Sequence, residues 1–127
     1  MTVIASREAL DELAYFAATV SVGEIPSDVI DRTCWVLRDT VGVIIGGLSV
    51  PEVQKLAAYA AENYPGSSQI ISTSYRVRPE WAAFVYGVAG TTLEYDEGHA
   101  YAKGHAAIHA VSCALALASS HNISGRD

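Results

Sequence analysis

Apolar residues return at every third or fourth position along much of the chain, and proline and glycine break the runs into segments. Leu10, Leu13, Ala14, Ala17 and Val20 keep that spacing and predict a first helix, with Ser6 placed to cap it by accepting a main-chain N–H. The stretch VGEIPSDVIDRTCWVLRDTVGVIIGG sets Pro26 in a first turn with acids early, then runs apolar on nearly every face as far as Gly46 and Gly47. A helix greasy all round is expected to be central and buried. Ser49 and Pro51 restart the chain. Val53, Leu56, Ala57 and Ala60 then stripe a third, amphipathic helix that ends at Tyr64-Pro65-Gly66.

The second half continues the pattern. Residues Gln69 to Thr73, QIIST, form the one β-like segment; they are too few to build a sheet and are read as an extended connector. Pro79 opens a fourth helix, PEWAAFVYGVAGTTLEYD, whose Ala82, Ala83, Gly87, Ala89 and Gly90 would let a neighbouring helix approach closely. A fifth, AAIHAVSCALALASS, runs from about Ala106 to Ser120 and is small and apolar around most of its circumference, which places it inside a bundle. His121 to Asp127 read as a helix exit around Asn122 to Gly125, with Asp127 suited to cap a further helix. The expected fold class is all-α: about five helices in a small-residue-rich bundle, residues 1–127 making one incomplete helical domain that stops between elements.

Composition adds one tension. Charged residues are only 17% of the 127 while AVILMFWYC residues are 50%, and the mean hydropathy is +0.22. A chain that clothes its own surface is usually less apolar, so either the fold is very compact or part of the surface belongs to a partner. The 14 acidic residues outnumber the 8 basic ones, which are scattered, and this argues against nucleic acid as a partner. Val41 to Leu48 and Ala106 to Ala118, the longest apolar runs, fall short of the roughly 18 residues a spanning helix needs, and His109 interrupts the second. No membrane span is therefore expected. The N-terminal residues lack a basic segment followed by an apolar one, and Glu8 comes early, so a cytoplasmic location is expected. Cys34 and Cys113, with no CxxC pair, are expected to be reduced, buried and structural.

Candidate chemistry concentrates in LEYDEGHAYAKGHAAIH, where His99, His105 and His109 fall within eleven positions among Glu94, Asp96, Glu97 and Lys103. The segment lies between two apolar helices, where a rigid scaffold can present functional groups, and Gly98 and Gly104 allow tight turns beside His99 and His105. Carboxylates and imidazoles invite a metal. The spacing fits no metal pattern, however: His105 and His109 stand at i, i+4, but HExxH is missing and nothing fixes a third ligand, so no metal is expected. An acid/base site needs less, and Glu94 paired with His105 would supply one. The plainer alternative has Glu94, Asp96 and Glu97 solvating a loop and His109 as a hydrogen-bonded core residue, with Lys103 either holding a substrate carboxylate or merely solvated. Arg38 and Asp39 are expected to form a structural salt bridge or a helix-to-helix tether, and Trp35, Trp81, Phe84 and Tyr86 to be core aromatics.

The order of segments matters as much as the loop. LAYFAATV, IPSDVIDRTCWVLRDTVGVIIGG, RVRPEWAAFVYGVAGTTLEYDEGH, GHAAIHAVSCALALA and SGRD, in that sequence, resemble the beginning of the MmgE/PrpD family over essentially the whole chain. The family's D-Y-D-D-T-H falls on Glu94, Tyr95, Asp96, Glu97, Gly98 and His99, and its H-P histidine on His105, with glutamate for aspartate at 94 and 97, glycine for threonine at 98 and Ala106 for the proline. The resemblance implies the N-terminal helical part of a lyase of dehydratase or decarboxylase type, acting on a small di- or tricarboxylate. It implies His105 in proton transfer or carboxylate binding, Glu94 orienting it, and His99, Lys103 and Asp96 as substrate contacts. It further implies no metal or organic cofactor, and either a homodimer or a complementary chain supplying the missing domain. Alone, the chain would be inactive, since later catalytic residues and a closing α/β domain are absent. Two rivals stand beside this reading: a non-catalytic helical oligomerisation or subunit module, and a metal-binding helical bundle.

Overall fold

In the computed structural model the described residues are 7–101, 103–121 and 123. Ser6, Asn122, Gly125 and Asp127, which carried the sequence reading of the first cap and the final helix exit, lie outside them. Five α-helices are found among the described residues: α1 (Arg7–Thr19), α2 (Ser27–Gly47), α3 (Pro51–Asn63), α4 (Pro79–Thr92) and α5 (Ala106–His121). The chain divides into two compact units, residues 1–33 and 34–127.

In the first unit α1 exposes its apolar side chains, Leu10, Leu13, Tyr15 and Phe16 among them. A 3-10 turn at Val22–Glu24 follows, closed by the Glu24 carboxylate, which accepts from the Ser21 N–H at 2.9 Å and from its hydroxyl at 2.8 Å. Those donors, the main-chain one first, hold the Glu24 carboxyl below its ordinary value.

The second unit contains the core, built from Ile44, Val53, Ala57, Ile70, Val77, Val85, Tyr86, Ala89, Ile108 and Ala116. Small residues decide how closely its helices meet. A Cβ on Gly47 would lie 1.8 Å from the Ala89 carbonyl oxygen, so α2 crosses α4 backbone to backbone. Gly90 leaves room for the tip of Ile108 from α5 on one side and for Ile44 from α2 on the other. Ala89 and Gly90 on α4 therefore do what the pattern implies, packing neighbours at close range, whereas a Cβ on Gly87 would meet nothing within 4 Å.

Two expectations fail on the fold. A two-stranded antiparallel sheet is present, β1 (Pro65–Gln69) with β2 (Arg76–Val77), bulged between Pro65 and Ser68; of the Gln69 to Thr73 connector only Gln69 belongs to it, and residues 70–73 lie between the two strands. PGSSQ has little strand propensity, and tertiary hydrogen bonds make it a strand. The Ser68 hydroxyl, buried, donates to Ala116 O at 2.7 Å, and the Gln69 N–H donates to Ser119 Oγ at 2.9 Å, both on α5. Tyr86 completes the tie from α4: its hydroxyl donates to Gln69 O at 2.7 Å and accepts from the Ile71 N–H at 3.1 Å. Burial raises the Tyr86 pKa above its ordinary value, partly countered by that main-chain donor.

The second failure is α2, which is not central. Only Thr40, Ile44 and Gly47 of it are buried, while Trp35, Leu37 and Ile45 stand exposed. An all-round apolar helix needs neighbours on every side, and the second unit supplies them only over its last turns. The same shortage leaves Phe84 and Trp35 out of the core, with Tyr86 buried and Trp81 half-buried against Tyr64. Cys34 and Cys113 are free thiols but exposed rather than buried. Arg38 and Asp39 form no salt bridge among the described residues; Arg38 instead lies over the Trp35 ring at 5.4 Å. No single described helix is long and apolar enough to cross a membrane.

Candidate active site

The loop between α4 and α5 carries the candidate residues, and its entry is set by how α4 stops. Thr91 and Thr92 turn their hydroxyls back onto Gly87 O and Val88 O, and the Glu94 N–H closes on Thr91 O at 3.1 Å. Glu94 adopts φ 55°, the left-handed conformation that a helix exit usually gives to glycine. Its side chain is exposed and makes no hydrogen bond or ion pair among the described residues.

The chain then folds into a tight turn. The His99 N–H donates to Gly104 O at 2.9 Å and the Lys103 N–H to His99 O at 2.8 Å, with Lys103 left-handed at φ 53°. This brings Gly98, His99, Ala100, Lys103, Gly104 and His105 around an open hollow of about 290 Å³. Imidazoles and an ammonium on one rim suit an anionic ligand. Among the described residues no group of three or more His, Cys, Asp or Glu is arranged to hold a metal ion.

His105 sits immediately before α5 and is fixed through one nitrogen. Its Nδ1 lies 2.8 Å from the Glu97 carbonyl oxygen and 3.0 Å from Asp96 Oδ2. The Asp96 side chain is only 10% exposed, against 54% for His105. The Glu97 carboxylate turns the other way and accepts the Ala107 N–H at 3.0 Å, so it serves as the acceptor for the first turn of α5.

Of the five sequence-derived site residues, His99, Lys103 and His105 line the hollow and Asp96 grips His105 from behind. Glu94 is not among the residues lining the hollow, and the carboxylate paired with His105 is that of Asp96. His109, read on one alternative as a core residue, is exposed on α5. Glu97 was not singled out. Its signal was available: a helix opening at Ala106 has no Ser, Thr, Asp or Asn at its cap and needs an acceptor from elsewhere.

Comparison with known proteins decides the family. The profile of the MmgE/PrpD N-terminal domain matches residues 11–127. The chain belongs to the MmgE/PrpD family. Among curated MmgE/PrpD-type relatives, cis-aconitate decarboxylase of Aspergillus terreus is 27% identical over 97 residues, covering 76% of this chain and 20% of the relative. The protein of the same name from Aspergillus terreus strain NIH 2624 / FGSC A1156 gives the same figures. The chain thus spans about a fifth of the length of the curated relatives it matches. No solved structure gives a significant match. Within this MmgE/PrpD domain, the hollow is formed by the stretch that the family's D-Y-D-D-T-H and H-P motifs fall on.

Proposed function

We propose that this chain is the helical part of an MmgE/PrpD lyase that acts on a small di- or tricarboxylate, with His105 as the proton-transfer group. The observation that carries the reading is the anchoring of His105 through Nδ1 on Asp96 and the Glu97 carbonyl, beside a rim that also bears Lys103 and His99. A histidine oriented by a carboxylate, next to cationic groups able to hold a substrate carboxylate, is what acid/base chemistry on a carbon acid requires. In a dehydration the imidazole removes a proton from carbon, the C–H electrons become the double bond, and hydroxide leaves with a proton. In a decarboxylation the C–C bond breaks, carbon dioxide leaves, and imidazolium returns a proton to carbon.

Glu94 supports the reading through its backbone. Of the three described non-glycine residues with positive φ, Glu94 and Lys103 are both site candidates. Left-handed conformations cost a side-chain-bearing residue about 1–2 kcal/mol, and such strain gathers at functional positions. Glu94 is taken to orient substrate or His105 once the site closes, with Lys103 and His99 as carboxylate contacts.

The hollow is open, so the remainder of a family-length protein, or a partner chain, is taken to complete it. This chain by itself is expected to be inactive. Turnover of a panel of di- and tricarboxylates, cis-aconitate among them, by the chain alone and by the chain joined to the polypeptide that completes it, tests the reading. Activity should appear only in the completed protein, and His105→Ala should lower kcat about 10²–10⁴-fold with helicity unchanged. Wild-type turnover by His105→Ala would remove His105 from the mechanism.

A non-catalytic subunit role is favoured by a separate observation. A groove of about 490 Å³ between α4 and α5 is lined by Phe84, Gly87, Val88, Ile108 and Ser112, and the Ser112 hydroxyl is buried there with no hydrogen-bond partner among the described residues. Homodimer formation or docking of a complementary chain over α4 and α5 would cover it. Sedimentation of the isolated chain separates the two: a stable, inactive oligomer with no gain of activity on completion favours the subunit role.

A further inference from the structure

We infer that Asp96 and Glu97 are positioning residues that lock His105 as its Nδ1–H tautomer and leave Nε2 as the single nitrogen available for proton transfer. This deepens the reading of His105 as the proton-transfer group and rests on it for its catalytic meaning, though the lock itself is a property of this chain.

The surroundings of one atom decide the tautomer. Nδ1 of His105 has two neighbours within hydrogen-bond distance, the Glu97 carbonyl oxygen at 2.8 Å and Asp96 Oδ2 at 3.0 Å. Both are acceptors: a carbonyl has no proton to give, and a carboxylate is acceptor-only. Only a protonated Nδ1 satisfies either of them. The Nε2–H tautomer, which a free histidine side chain favours in water, would face two sets of lone pairs with a third. The surroundings therefore reverse the ordinary preference and bare the lone pair on Nε2.

The lock has two parts of different kinds. Asp96 supplies charge, and its side chain is only 10% exposed although it belongs to a surface loop, so its carboxylate is held against the imidazole rather than presented to solvent. When Nε2 takes a proton, the imidazolium that forms already has its counter-charge in contact. Glu97 supplies position. Its side chain is fixed to the first turn of α5 through the Ala107 N–H at 3.0 Å, and this holds the Glu97 main chain, with its carbonyl, against the ring. His105 is thereby clamped between the helix it precedes and the loop that leads to it. The assignment also moves Asp96 from contact with substrate to the far side of the imidazole.

Two-bond ¹H–¹⁵N correlation spectra of the histidine rings test this directly, because the two tautomers give different ¹⁵N shifts and cross-peak patterns. In the 127-residue chain, with the imidazole neutral, Nδ1 should be the protonated nitrogen and Nε2 the bare one, with His109, exposed on α5, serving as the comparison. Asp96→Asn, whose amide can donate to Nδ1, should shift His105 towards the Nε2–H form, and Asp96→Glu should restore part of the Nδ1–H population. Glu97→Gln keeps the carbonyl and should keep the tautomer. A wild-type ring in the Nε2–H form, or averaged between the two as in free histidine, overturns the inference, as does an Asp96→Asn spectrum unchanged from wild type.

In the completed protein, Asp96→Asn should lower kcat at least tenfold with KM little changed. A rise in KM at constant kcat would return Asp96 to substrate contact. A locked tautomer together with an active His105→Ala protein would sink the catalytic reading and leave the lock standing. The opposite pair of results would do the reverse.

Discussion

Gly42 and Gly47 lie little more than a turn apart on α2, yet alanine at the two should move stability in opposite directions. A Cβ at Gly42 meets nothing within 4 Å, so Gly42→Ala gains only the conformational advantage of alanine in a helix, about 0.5–1 kcal/mol. At Gly47 the same gain is opposed by contact with main chain: the added Cβ would lie 1.8 Å from the Ala89 carbonyl oxygen and 2.6 Å from its carbon. No side chain can swing aside there; α2 and α4 must separate. Overpacking of a closed site costs about 1–3 kcal/mol and sometimes more, and an unyielding neighbour puts Gly47 at the upper end. The net loss for Gly47→Ala is then about 2 kcal/mol, a fall in Tm of several degrees for a domain of this size. Urea and thermal melts followed by circular dichroism at 222 nm measure both variants. A Gly47→Ala protein as stable as Gly42→Ala would mean that α2 does not press against α4 at Ala89, and the close crossing of the two helices would be wrong.

Tyr86→Phe removes the part-buried hydrogen bonds to the Gln69 carbonyl and Ile71 N–H and should cost about 0.5–1.5 kcal/mol in the same melts. Because burial raises the Tyr86 pKa, its contribution is complete below the ordinary tyrosine value near 10 and is lost as pH climbs from there towards the folded-state value. Wild type should therefore lose stability at alkaline pH more steeply than Tyr86→Phe, and parallel curves would contradict the burial. Glu94→Gly should stabilise the chain by about 0.5–1 kcal/mol, as relief of the left-handed strain at φ 55° outweighs glycine's extra freedom in the unfolded chain, while lowering turnover of the completed protein. Unchanged activity would take Glu94 out of the site.

The helices were legible because their signals are local. Pro51 and Pro79 open α3 and α4 at their first positions, as proline's fixed φ requires, and the small residues of α4 anticipated its close packing. The sheet was not legible, because Ser68 and Gln69 owe their extended form to Ala116 and Ser119, some fifty residues away, and no window along the chain shows that pairing. The site was legible as a loop but not as a geometry. Periodicity marks where helices end; it does not tell which of three neighbouring acids reaches His105. Glu94 is itself the left-handed residue at which the chain leaves α4, and Asp96, two residues on, meets the ring.

The misplaced apolar residues have a common cause. Trp35, Phe84, Leu117 and Cys113 sit in runs that read as core, and each is exposed. A hydrophobic pattern records what the sequence is selected to bury, whatever the source of the covering surface. α5 shows this most sharply: from Ala106 to His121 it carries no Asp, Glu, Lys or Arg, a composition suited to a helix covered on all sides, yet much of it is bare. The groove it forms with α4 holds a buried hydroxyl, Ser112, with no partner among the described residues, although other hydroxyls on the described helices, such as those of Thr40, Thr91 and Thr92, bond back to their own turns. A polar group left so is stabilised only when something arrives to meet it. The His105 clamp is thus built from described residues alone, whereas the groove between α4 and α5 leaves apolar side chains and the Ser112 hydroxyl unmatched among the described residues.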